Sequence, residues 1–106
     1  MAKYLIMGSY THEGLRGLAK EKASSRQKAV AHALSALGGK LECVYFAFGE
    51  ADVVGIGDCP DNVTAAALSL AVSATGLVRI KTTPLLTVEE LDQALSKQVA
   101  YRGPGA

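Results

Sequence analysis

The chain has 106 residues, 49% apolar and 20% charged, and its eleven lysines and arginines against ten acidic residues leave a net charge of +1. A chain of this length is expected to form one domain over 1–106 with a core that needs no staples. Near-neutrality gives no basic footprint for a phosphate backbone, so nucleic acid is not an expected partner. The opening MAKYLIM is far shorter than a signal core or a spanning helix, which predicts a cytoplasmic protein away from the membrane. Cys43 and Cys59 are expected as reduced thiols.

Residues 3–10, KYLIMGSY, read as a first strand from their aromatic and β-branched content. THEGLRGLAKEKA carries two glycines and scattered charge and reads as a loop with one helical turn at most. A first helix follows over 25–37. Ser24 and Gln27 have the spacing of a capping box, Val30, Ala33, Leu34 and Leu37 recur at helical spacing, and Gly38-Gly39 supplies a left-handed stop.

KLECVYFAFG (40–49) and ADVVGIGD (51–58) read as second and third strands joined through Gly49-Glu50, with glycine where a type II′ turn needs it. Phe48 and Ala51 then pair. Val44 and Phe46 share a face with Val53 and Gly55, while Tyr45, Ala47, Asp52, Val54 and Ile56 lie on the other. Gly55 and Gly57 permit close packing. A second helix begins near Pro60 and ends at Gly76. Residues 77–83, LVRIKTT, alternate as a fourth strand closed by Pro84. Leu86, Thr87, Glu90 and Leu91 form a staple and capping box for a third helix, whose stripe continues through Leu95 and Val99. Residues 100–106 read as a flexible tail.

This order is the split βαβ pattern of an α+β, ferredoxin-like βαββαβ sandwich with an extra C-terminal helix. Two helices cover one sheet face. Tyr45, Ala47, Val54 and Ile56 on the other demand cover, and a homo-oligomer, a dimer at least, is expected to provide it.

Taken together, Tyr10-Thr11 with Glu13-Gly14, the Leu37-Gly38-Gly39-Lys40 helix end, the Gly49-to-Asp52 turn and Pro60-Asp61 resemble the GYD domain family over roughly residues 3–96. The resemblance implies a dimeric α/β barrel, two ferredoxin-like sheets packed face to face, an architecture shared by cofactor-independent monooxygenases, small isomerases and ligand-binding regulators. The chain departs at the naming motif. Where Gly, Tyr and Asp are expected it has Gly49, Ala51 and Asp52, so the role of the ring is not carried over.

Asp52 on the inter-subunit face would act as a general base or anchor a polar ligand; the competing role is a pair with Arg79 or Lys81, or a turn cap. Tyr10 and His12 follow the first strand, where loops line cavity mouths; the alternative is a core ring and a solvated imidazole. Glu13 beside His12 makes no metal site without a third ligand. His32 falls on the solvated helix face. Cys59 is placed at a helix N-terminus, where the dipole favours a thiolate, and Cys43 reads as a small buried hydrophobe. No phosphate loop, dinucleotide fingerprint or nucleophile elbow occurs, and no cofactor or metal is expected.

The leading expectation is a homo-oligomeric small-molecule binding protein whose cavity, between sheet and helices or between facing sheets, is lined by Tyr10, Thr11, Tyr45, Phe46, Phe48, Asp52 and Lys81. The alternatives are a cofactor-independent enzyme with Asp52 or His12 as acid or base and Tyr10 orienting substrate, and a purely structural or regulatory oligomer.

Overall fold

The computed structural model describes residues 1–106 and runs β1 (Ala2–Tyr10), α1 (His12–Glu21), α2 (Ala23–Ala36), β2 (Lys40–Phe46), β3 (Val53–Cys59), α3 (Asn62–Ala74), β4 (Val78–Leu85) and α4 (Val88–Ser96). The strands form one antiparallel sheet in the order β2-β3-β1-β4, the ferredoxin-like arrangement. Period-two alternation sorts each strand. Tyr4, Ile6, Val53, Gly55, Val44, Phe46, Val78 and Ile80 share the face under α2 and α3. Leu5, Met7, Val54, Ile56 and Tyr45 occupy the other.

The sheet is open: β2 and β4 are free edges. This overturns the expected dimeric α/β barrel. Four strands under two helices leave both edge strands unpaired, and closure would require those edges to be joined.

The residues read as a loop after β1 form a ten-residue helix, α1. Thr11 caps it by accepting from the Gly14 N–H (3.2 Å). The helix breaks at Lys22, which holds φ +77 and ψ 156, a region that side chains other than glycine rarely enter. The expected Ser24 cap does not form. Helix α2 starts two residues earlier, and Lys22 occupies its N-cap position with no side-chain hydrogen bond. Its end is as expected. Gly38 at φ +81 lets the Gly39 N–H reach the Leu34 carbonyl (2.8 Å) and its own N–H reach that of Ser35 (3.0 Å), a Schellman closure.

The β2–β3 register pairs Val44 with Gly55 and Phe46 with Val53, as the alternation predicts, with a bulge between Leu41 and Cys43. The tight type II′ turn does not form, because Gly49 is not among the positive-φ residues and the ladder stops at Phe46 and Val53. A wider tip spans the gap, held by Ala47 N–H to the Asp52 carbonyl (2.7 Å). Lys3 bridges Glu42 (2.7 Å) and Asp58 (3.1 Å) across three strands at the opposite sheet end. Those hydrogen bonds, Glu42 first, raise its pKa.

Asp61, not Pro60, starts α3 by accepting from the Thr64 N–H (2.8 Å). Pro84 lies inside β4, opposite Tyr4. That strand is an edge, so a missing N–H costs little.

The core is Tyr4, Leu34, Cys59 and Ala65, with Ile6, Val30, Leu41 and Leu68 packed against it. Helix α4 has the expected reciprocal box, Thr87 with Glu90, yet it buries no residue. The radius of gyration is 16.8 Å and the longest extent 56 Å. About 13 Å is usual for this length, and the excess reflects an α4 held off the body with Leu91 and Leu95 exposed.

Candidate ligand cavity

Helix α2 packs on β2 and α3 on β4, and the two helices hardly touch. Between them, over the sheet, lies a cavity of about 130 Å³ in which sixteen of twenty-one lining residues are hydrophobic. Ile6, Val53, Gly55 and Ile80 make its floor, Val30 and Ala33 of α2 one wall, and Leu68 and Val72 of α3 the other. Small residues, Gly55, Ala33 and Ala65, contribute to its lining.

Its two ends differ. At the end where β3 finishes, the core closes it. There the Tyr4 hydroxyl donates to Asn62 Oδ1 (2.6 Å), and burial is the main cause that raises the Tyr4 pKa. Cys59 is 1% exposed at the last position of β3. Burial, then the Asp58 and Asp61 charges, pushes its thiol up, so the expected thiolate is not favoured: its buried site outweighs a helix end that starts three residues later. Midway, Ser69 and Thr82 share a hydrogen bond of 2.7 Å. The other end, where β1 and β2 finish and α2 begins, carries Tyr10, Phe46, Arg26 and Gln27.

Of the residues singled out from the sequence, Tyr10 and Phe46 meet in this cavity. The others are dispersed. Tyr45 (73% exposed) and Lys81, which pairs with Met7, lie on the opposite sheet face. Phe48 sits fully exposed at the hairpin tip, and His12 is exposed at the start of α1. The Thr11 hydroxyl is engaged as the α1 cap and as a donor to the Gly76 (3.0 Å) and Leu77 (3.3 Å) carbonyls.

Asp52 does not face the open side of the sheet. Its Oδ2 accepts from the Tyr10 N–H (2.8 Å), its N–H donates to the Gly8 carbonyl (2.8 Å), and its own carbonyl accepts from Ala47. Where β3 leaves the ladder, the carboxylate stands in for a backbone carbonyl and ties three strands. It pairs with neither Arg79 nor Lys81.

No aspartate, glutamate or histidine lines the cavity, and Arg26 is its one charged residue. No group of three or more His, Cys, Asp or Glu side chains comes together to hold a metal. The arrangement therefore suits binding of an apolar body better than proton transfer. The walls on α2 and α3 were missed in the sequence, although Arg26, Val30 and Ala33, and Ala65, Leu68 and Val72, recur at helical spacing. Those stripes read equally well as filled core.

No helix is long and apolar enough to cross a membrane. No curated protein and no solved structure matches the chain significantly. The family model of the GYD domain matches residues 4–95, nearly the whole length, and the chain belongs to the GYD domain family.

Proposed function

We propose that this GYD-domain protein binds a compact apolar small molecule between its sheet and helices α2 and α3. The observation that carries the reading is the cavity of about 130 Å³ with its predominantly hydrophobic lining. Apolar cavities of this order accept a benzene-sized guest. Methyl NMR during a toluene titration tests it: saturable shifts at Ile6, Val30, Val72 and Ile80 are expected, and Ala33→Leu should abolish them while the circular dichroism spectrum is retained. Shifts confined to the outer sheet face or to α4 would refute it.

The enzymatic reading has less support, since Asp52 is occupied by backbone and His12 lies outside the cavity. A second reading concerns self-association, supported by the half-buried Leu5, Met7, Val54 and Ile56 on the open face and the uncovered stripe of α4. Copies of the chain associate through these surfaces. A monomer by native mass spectrometry at micromolar concentration would remove that reading. The free thiols Cys43 and Cys59, on opposite sheet faces and unable to pair within the chain, accord with a cytoplasmic setting.

A further inference from the structure

We propose that the cavity selects a compact apolar ligand carrying a single negative charge, with the charge held at the mouth by Arg26 and the apolar body lying over Gly55 and Ile80. The inference rests on the cavity reading above and adds the chemical class of the ligand.

The argument comes from the polar groups along the cavity wall. Those at the closed end and midway are already engaged: Tyr4 with Asn62, and Ser69 with Thr82. A polar group on a ligand would meet only hydroxyls already engaged there, and burying one poorly paired is costly. At the opposite end, neither the Tyr10 hydroxyl nor the Gln27 amide has a hydrogen-bond partner in the chain. The Tyr10 hydroxyl is not a buried unpaired atom and Gln27 is exposed, so both line the cavity and reach solvent.

Arg26 supplies the sign. It is the one charged lining residue, and no acidic side chain lines the cavity to balance it. Its sole partner is Glu21 at 3.4 Å, a long contact to a half-exposed carboxylate that is not part of the wall. A guanidinium presents five donors in a planar fork, so one loose contact leaves most of them available to a carboxylate. The topology brings these groups together. The ends of β1 and β2 and the starts of β3 and β4 lie at one end of the sheet, and α2, which returns from this end to its C-terminus beside Asp58, places Arg26 over it.

The test uses three probes of one size and different charge: benzoate, benzyl alcohol and benzylamine, each titrated into the full chain and followed by methyl and amide NMR. Benzoate should bind roughly tenfold or more tightly than benzyl alcohol, the scale of one charge-assisted hydrogen bond, with benzylamine weakest. Arg26→Gln should bring benzoate down to benzyl alcohol and leave the alcohol unchanged, Arg26→Lys should keep part of the preference, and Glu21→Gln should tighten benzoate by removing a competitor. Benzoate binding no tighter than the alcohol, or unaffected by Arg26→Gln, overturns the charge selection and leaves the cavity reading intact. If none of the three shifts the cavity methyls, the cavity reading fails and this inference fails with it.

Discussion

Two glycines three residues apart in α1 should respond to alanine in opposite directions. At Gly14 a Cβ would stand 2.0 Å from the Leu77 carbonyl oxygen and 2.9 Å from its carbon, both backbone atoms. Relief requires the first turn of α1 to withdraw from the α3–β4 connection. That movement strains the Thr11 N–H bond to the same carbonyl (2.9 Å) and both contacts of the Thr11 hydroxyl. Overpacking costs about 1–3 kcal/mol, and a weakened backbone hydrogen bond adds about 1 kcal/mol. The gain in helix propensity returns roughly 1 kcal/mol. Gly14→Ala should therefore lose about 2 kcal/mol, or on the order of 8 °C in Tm for a domain of this size. At Gly17 nothing lies within 4 Å of the built Cβ, so Gly17→Ala should gain roughly 1 kcal/mol from propensity alone. Urea denaturation followed by circular dichroism at 222 nm reads both. A Gly14→Ala variant as stable as the wild type would refute the docking of α1 on Leu77, and with it the account of why this helix contains glycine.

Other substitutions probe the remaining features. Lys22→Gly releases a backbone held at φ +77; strain of about 1–3 kcal/mol outweighs an added unfolded-state entropy of about 0.4–1 kcal/mol, so the melting temperature should rise, and a fall would show the α1–α2 break to be unstrained. Asp52→Ala leaves the Tyr10 N–H without its acceptor and should cost about 1–3 kcal/mol in urea denaturation; Asp52→Asn keeps an acceptor oxygen and should cost clearly less, and equal losses would argue for a charge-dependent role. Asp61 is held below the usual aspartate range, first by the Thr64 backbone N–H. Its stabilisation is complete above the unfolded-state pKa and is lost as pH falls through the lower folded value. Asp61→Asn, which caps without a charge, should flatten the acid side of the stability profile; an unchanged profile would remove the cap's charge from the account. Ending the chain after Leu86 removes a helix that buries nothing and should change the stability of the remainder by no more than about 0.5 kcal/mol when measured at dilute concentration.

What could be read in the sequence was what neighbours along the chain decide. The Thr87–Glu90 box is local chemistry and formed as read. The pairing of Phe46 with Val53 follows from a period of two and a short connection. Asp52 shows where alternation stops: it lies one residue beyond the ladder, and its side chain bonds to the Tyr10 backbone. Helix α1 was missed because Gly14 and Gly17 read as breakers, whereas Gly14 is required by a carbonyl more than sixty positions away in the chain. The same non-locality hid most of the cavity. Tyr10 stands out because it follows the first strand, and alternation places Phe46 beside Val44 and Val53, but Arg26, Leu68 and Val72 line an opening only because α2 and α3 are held apart. An amphipathic stripe reads identically whether its neighbours fill the space or leave it empty.

That empty space has an energetic consequence, which connects stability to binding. The cavity of about 130 Å³ opens at one end, and the side chains facing it forgo packing contacts that a guest or a larger residue would supply. A larger side chain at Ala33 recovers part of them without strain if the space is vacant. Ala33→Leu should thus raise the melting temperature while it abolishes toluene binding. In the wild type a saturating guest should raise the melting temperature by mass action, and in the filled variant it should not. If Ala33→Leu instead destabilises the protein, the space is already occupied by the chain's own packing, and the binding reading falls together with the stability argument.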